Sequence, residues 1–304
     1  MFRTDMAREL FEANPSLEGV REETLRDGDI EISRIRIERE AAAKALGQPV
    51  GSYVTIELPE EAFFTEDTQE RVVACLAQEL TRIMASLPPD GEVLVLGLGN
   101  RFVTPDSLGP RTVDKVFVTR HIKTHVPEAA PEGMRAVSAI APGVLGTTGV
   151  ETVEIVRGLV ENLRPAALLC IDALASRRTQ RISASIQLND TGVQPGAGVH
   201  NQRAGITKES MGLPVFAVGV PTVVDAVTIV GDAIKQMTNT ADAEAKDDLN
   251  SLAEEGMSTE LCNLIVTPKD IDAIIERASR RLADGINHAL HALAYEEISA
   301  LLQS

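Results

Sequence analysis

Three short runs of unbroken apolar residues constrain this chain more than any other feature. Val93-Leu94-Val95-Leu96, Ala166-Ala167-Leu168-Leu169-Cys170-Ile171 and the run Val215 to Val220 are each too short for a helix, and glycine, proline or charged residues bound them. Strands buried on both faces of a parallel sheet have this pattern. Between them the apolar spacing turns helical. Val72, Cys75, Leu76, Leu80, Ile83, Met84 and Leu87 share a face over Thr68–Leu87. Val150, Val153, Val156 and Val160 share another up to Arg164, where Thr148 stands three residues before Glu151 in a capping-box pattern. Further helices are expected from Thr112 to about Lys123, from Thr222 to Ile234, and from Pro268 to near Leu302, with Ile271, Ile274, Ile275, Ala278 and Leu282 on one face.

Strict alternation marks more exposed strands at Ile30–Ile37 and Arg181–Leu188, and shorter strands fit Tyr53–Leu58 and Arg135–Ile140. Pro221 is expected to stop the strand before it. Residues 1–30 are polar, broken at Asn14-Pro15-Ser16, and are expected to lie over the domain. The acidic stretch 238–256 is expected to be a solvated insertion or mobile segment. Strand–helix alternation of this kind gives an α/β fold.

At 304 residues the chain can bury a substantial core. No run approaches the roughly 18 apolar residues of a membrane span. A net charge of −16 opposes binding to a nucleic-acid backbone, and 3% aromatic residues leave little surface for stacking bases. The cysteines, Cys75, Cys170 and Cys262, are widely spaced and odd in number, which fits a reducing, cytoplasmic setting with Cys170 in the core.

Ligand and chemistry sites of open α/β sheets gather beyond the carboxyl ends of the strands. Asp106 lies there in the stretch EVLVLGLGNRFVTPDSLGP, and Asp172 directly follows the second apolar run. Either aspartate can be a helix cap. If they converge, two close carboxylates cannot both ionise easily, so one stays an acid while the other is a base for water. They could equally hold a divalent metal that activates the water.

Other motifs carry less. Gly97-Leu98-Gly99 lacks the third glycine and the acidic residue of a dinucleotide fingerprint. His121 and His125, like His288 and His291, have helical spacing and read as helix-surface histidines, with His200 the better single ligand. Asp190-Thr191-Gly192 occurs once and reads as turn chemistry.

The runs GLGNRFVTPDSLGP, SAIAPGVLGTTGVET and CIDALASRRTQRISASIQLNDTGVQPGAGVHNQR resemble the germination proteases of spore-forming bacteria. The resemblance covers most of residues 1–230 and is looser over 231–304. It implies a three-layer αβα sandwich with a mostly parallel sheet, similar to hydrogenase maturation proteases. The implied activity is an endopeptidase that degrades small acid-soluble spore proteins in the spore core, made as a self-processing zymogen and assembled as a homotetramer. No cofactor, nucleic acid or membrane is implied.

The family's proposed catalytic aspartates fall on Asp106 and Asp172. Arg3-Thr4-Asp5-Met6-Ala7 fits the family's cleavage pattern, an acidic residue followed by a large apolar and a small one. A processing cut is therefore expected between Asp5 and Met6, with residues 1–5 a propeptide remnant, shorter than the family's propeptides, and 6–304 a single peptidase domain. Recognition of the acidic residue calls for a cation, and Arg101, Arg177, Arg178 and Arg203 are the candidates. The runner-up function is a metal-dependent maturation-type protease using the same carboxylates, and the third is a catalytically inactive spore-protein binding module.

Overall fold

In the computed structural model, residues 4–12, 17–59, 65–193, 204–230 and 264–291 are described, together with 233, 296, 297 and 300. Among the described residues nine strands form a single sheet. The amino-terminal part supplies helix α1 (Ala7–Glu12), strands β1 (Val20–Asp27) and β2 (Ile30–Ile37), helix α2 (Glu40–Leu46) and strand β3 (Gly51–Glu57). Helix α3 (Glu66–Ile83) leads into β4 (Val93–Gly97), which is buried at every position. A short 3-10 turn, Thr104–Asp106, then precedes helices α4 (Leu108–Val113) and α5 (Arg120–His125) and strand β5 (Val137–Ile140). Helices α6 (Leu145–Thr148) and α7 (Thr152–Leu163) precede β6 (Ala167–Ser176) and β7 (Ser185–Asn189). The rest comprises α8 (Lys208–Met211), β8 (Val215–Asp225), the two-residue β9 (Ile265–Val266) and the long helix α9 (Ile271–His291).

The strand order is β1-β2-β3-β7-β8-β6-β4-β5, with β9 against β8. Strands β8, β6, β4 and β5 are parallel to one another, and β1, β2, β3, β7 and β8 form an antiparallel half. The parallel half is built from the three apolar runs, because helical crossovers cover both its faces. On one face α3, α4 and α9 pack against Val93, Val95, Leu169, Ile171 and Val218. On the other, α7 and Met211 cover Leu94, Leu96, Leu168, Cys170 and Ala217. Further along that face, α1 and α2 cover Ile35, Ile37 and Tyr53. Helices on both faces of one sheet give the expected three-layer arrangement.

Several boundaries differ from expectation, each for a local reason. Residues 20–27 are an edge strand rather than a cover; their side chains are almost all exposed, so no apolar alternation betrays them. The helix expected over Thr112–Lys123 is two helices, α4 and α5, separated by a turn in which the Thr119 N–H donates to the Val137 carbonyl. The α7 cap is Glu151 and not Thr148, since the Glu151 N–H donates to the Glu154 carboxylate at 3.3 Å and Val150 is exposed.

Strand β8 runs through Pro221 to Asp225. Its pairing with β6 slips there, Leu174 opposing Pro221 and Ala175 opposing Val223, and a bulge is how a sheet accommodates a residue with no N–H. Residues 226–230 begin a helix, so the expected helix starts four residues later than Thr222. Arg181 lies in a 3-10 turn, and β7 starts at Ser185. The acidic stretch 238–256, Cys262, His200 and the tail beyond His291 fall wholly or largely outside the described residues.

Candidate active site

A transverse row of small and polar residues crosses the second face of the sheet where the α7 cluster gives way to the α1–α2 cluster. Register pairs Ser33 with Thr55, Thr55 with Gln187, Gln187 with Gly219 and Gly219 with Asp172. Residues paired directly across a sheet project to the same side, so these five positions line one strip. Gly219 leaves a gap between the two longest side chains, Asp172 on β6 and Gln187 on β7. Above the strip opens a cavity of about 580 Å³ whose lining includes Asp106, Asp172, Gln187 and Gly192.

Asp172 was expected at the end of its strand. It lies within β6 instead, which continues to Ser176 because β8 follows it for nine residue pairs. What ends near Asp172 is the neighbour on the other side, for β4 pairs only as far as Gly97 with Ile171. The flank of β6 from Asp172 onward is therefore open toward the cavity. Asp106 reaches the same place from the 3-10 turn after β4. The backbone passes through Gly99 at φ 105°, where a side chain would collide with the carbonyl oxygen of Asp106. The Asn100 N–H donates to Asp106 Oδ2 at 2.7 Å and fixes that carboxylate's orientation. Gly109 packs against the carbonyl oxygens of Leu98 and Ile171, which lets α4 seat directly on the end of β4 and the middle of β6.

Burial pushes the Asp172 carboxyl well above the ordinary carboxylate range, and the neighbouring charges of Asp106 and Asp5 push it further, against one hydrogen bond from the Ala173 N–H to Oδ1 at 2.9 Å. Burial and the like charges beside it thus favour the protonated form of Asp172.

The chain's own amino-terminal segment occupies the open flank of β6. The Asp5 N–H donates to the Ala175 carbonyl at 3.0 Å, and the Ala175 N–H donates to Asp5 Oδ2 at 2.8 Å. Gln187 spans the Asp5–Met6 junction: Nε2 donates to the Asp5 carbonyl at 2.8 Å, and Oε1 accepts from the Ala7 N–H at 2.7 Å. Met6 is fully buried. Thr4 accepts from the Met6 N–H at 3.0 Å and donates to Glu9, whose carboxylate also receives the N–H groups of Arg177 and Arg178.

Of the other candidates, Arg177 and Arg178 adjoin this place through Glu9, and Thr191 and Gly192 line the cavity. Arg101 pairs with Asp114 at 2.7 Å and Arg178 with Glu12 at 3.0 Å; the Arg177 N–H is on Glu9, and Arg203 lies outside the described residues. Asp190 receives the Ser52 N–H at 2.7 Å and pairs with Arg36, tying its turn to β3 and β2, while the Thr191 and Gly192 N–H groups donate to Asn189 Oδ1, the turn chemistry expected. His121 and His125 sit in α5. His291 is fully buried and its Nε2 lies 3.3 Å from the Phe117 carbonyl, so it is a core histidine and not a surface one. Among the described residues no group of three or more His, Cys, Asp or Glu side chains is placed to hold a metal ion, and no helix is long and apolar enough to cross a membrane.

The family model described as germination protease matches residues 2–261. The chain belongs to the germination protease family. It is 44% identical to the germination protease of Clostridium perfringens over 321 aligned positions, covering 99% of this chain and 98% of that one. It is 44% identical to that of Caldanaerobacter subterraneus, with 99% and 98% covered, and 36% identical to that of Bacillus velezensis, with 96% and 94% covered. This germination protease is thus a proteolytic enzyme, and the cavity over the polar strip is the place to look for its chemistry.

Sequence reasoning missed Gln187 and Gly219. The run RISASIQL reads as a strand with one face in solvent, yet Ser185 and Gln187 are 0% and 5% exposed. Their polarity answers to the cleft and to α1, which comes from the far end of the chain.

Proposed function

We propose that this germination protease is an endopeptidase that cuts small acid-soluble spore proteins after an acidic residue, with Asp106 and Asp172 acting on water and no metal in the reaction. The observation that carries the reading is the position of Thr4-Asp5-Met6-Ala7. A segment of the expected substrate pattern lies hydrogen-bonded along β6 in the cavity that Asp106 and Asp172 line. Adding an extended peptide to an exposed strand edge uses main-chain hydrogen bonds for affinity and side-chain sites for choice. Here the acidic side chain itself takes the Ala175 N–H, so part of its recognition comes from the backbone.

In this mechanism Asp106 is the base. Its carboxylate, steadied by the Asn100 N–H, takes a proton from water as the oxygen attacks the carbonyl carbon. Asp172, protonated through burial and the charge beside it, is the acid that supplies a proton to the departing nitrogen. The same site cuts its own Asp5–Met6 bond, so the protein is made as a self-processing zymogen. The working enzyme is a homotetramer in the cytoplasm of the spore.

The test is incubation of the purified protein with a small acid-soluble spore protein, with and without chelator, read by mass spectrometry. Cutting after an acidic residue that withstands chelation is the expected result. Loss of cutting on chelation, restored by a divalent ion, would transfer Asp106 and Asp172 to a metal-dependent protease. Absence of any cutting, by a protein whose Asp5–Met6 bond is already cleaved, would leave a binding module.

A further inference from the structure

Gln187 is a buried amide that the aspartate mechanism does not use, and its two polar atoms are both spent on one peptide segment. Nε2 donates to the carbonyl oxygen of Asp5, and Oε1 accepts from the N–H of Ala7. The Asp5 carbonyl belongs to the Asp5–Met6 peptide bond, the one expected to be cut. Gln187 stands in the same transverse row as Asp172, two strands away across the side-chain-free Gly219. The amide thus approaches this peptide from β7 while Asp172 rises from β6. Its strand neighbours Ile186 and Leu188 are 1% and 0% exposed and anchor the opposite face of β7, which fixes the direction in which Gln187 projects.

We infer that Gln187 is a third catalytic residue of this protease, polarising the scissile carbonyl through Nε2 while Oε1 holds the N–H two residues beyond the cut. The inference rests on the aspartate-protease reading given above and deepens it. A donor aimed at the carbonyl oxygen is worth most where negative charge develops in a site shielded from water. The chemistry balances without any added reactant. Water loses a proton to Asp106, its oxygen bonds to the carbonyl carbon, and the carbonyl electron pair moves onto the oxygen facing Gln187. On collapse that pair re-forms the C=O bond, the C–N bond breaks, and the nitrogen takes the proton of Asp172. The proton gained by Asp106 returns to Asp172 through solvent. With Gln187 serving the oxygen, Asp172 is left for the nitrogen. Each group has one task.

Two variants of the full chain test this. Gln187→Met keeps the length and bulk and removes both polar atoms, and Gln187→Glu keeps an acceptor but can donate only when protonated. The readouts are the first-order rate of Asp5–Met6 cleavage within the chain, and kcat and KM on a synthetic peptide containing Arg-Thr-Asp-Met-Ala. For Gln187→Met, kcat and the internal rate should fall about 100- to 1,000-fold, as for removal of an oxyanion donor. For Gln187→Glu, activity should rise as pH falls through the range where the new carboxyl protonates, a recovery that a packing role would not produce. It also decides the matter if Gln187→Met fails to fold.

An unchanged kcat with a raised KM would overturn the inference, making Gln187 a binding group alone. Faster peptide cleavage by Gln187→Met would overturn it too, since the amide would then serve only to hold the amino-terminal segment in place. Wild type and Asp106→Asn are measured alongside. If Asp106→Asn cuts as fast as wild type, the underlying aspartate reading falls, and the inference with it. If Asp106→Asn is dead while Gln187→Met keeps its kcat, only the inference falls.

Discussion

Asp172 shows how one side chain ties function to stability. Its carboxyl holds its proton in the folded protein at a pH where the unfolded chain, with an ordinary value of 3.8, has lost it. Stability therefore falls as pH rises from about 4, because the unfolded state is the one that releases the proton. Asp172→Asn, neutral at every pH, should melt at a higher temperature than wild type near neutrality and lose that advantage below about pH 4, while cleaving nothing. Thermal melts across pH check this. On the proposed mechanism Asp106→Asn removes the base and should lower kcat by about 100- to 10,000-fold with little change in stability, measured on the same peptide. Gly99→Ala should also lower activity, since φ 105° and the Asp106 carbonyl leave no room for a methyl group. Asp106 and Asp172 were legible in the sequence because a carboxylate beside an unbroken apolar strand stands out. Gln187 was not, because a polar residue in an alternating strand looks the same whether solvent or a docked segment covers it.

Among the elements, α1 is held by charge as well as by the burial of Ala7 and Phe11. Arg181, 7% exposed, lies 3.3 Å from Glu9, 2.7 Å from Glu12 and 3.0 Å from Glu57, while Arg8 joins Glu12, Glu31 and Glu57. Burial raises the Glu57 carboxyl, with the charges of Arg181 and Arg8 acting against it. Taking away Arg181 would remove the cation beside the buried Glu9 carboxylate, and breaking a buried pair costs about 3–5 kcal/mol. Arg181→Ala is expected to loosen α1 and the segment before it first, seen as faster hydrogen exchange over residues 4–12 than over α3. The helices α3 and α9 and the apolar strands were readable from periodicity alone. Strand β1 and the course of β8 through Pro221 were not, since an exposed edge carries no apolar signal and a bulge is visible only in the pairing.

At the scale of the whole molecule, a parallel half supplies the aspartates and an antiparallel half supplies the amide opposite them, so the cleft exists only where the two halves meet on one sheet. The α/β class was plain from the order of apolar runs and helices; the joining of the antiparallel half to the parallel one was hidden because β3 and β7, which pair, are distant in sequence. The long helix α9 closes the opposite face and carries His291. Burial lowers its imidazole to about 4, the Phe117 carbonyl opposing and Arg135 adding to the effect. The unfolded chain takes up a proton at this residue below its ordinary 6.5, so stability should be lost as pH falls from there toward 4. His291→Gln should flatten that part of the stability curve, as chemical denaturation at several pH values would show. The measurement that bears most directly on the whole account is the pH dependence of kcat for the Arg-Thr-Asp-Met-Ala peptide in excess chelator. An aspartate pair gives a bell, with Asp172 setting the alkaline limb and both limbs untouched by the chelator. A rate that needs added divalent metal and keeps climbing with pH would contradict the assignment of Asp172 as the acid and Asp106 as the base.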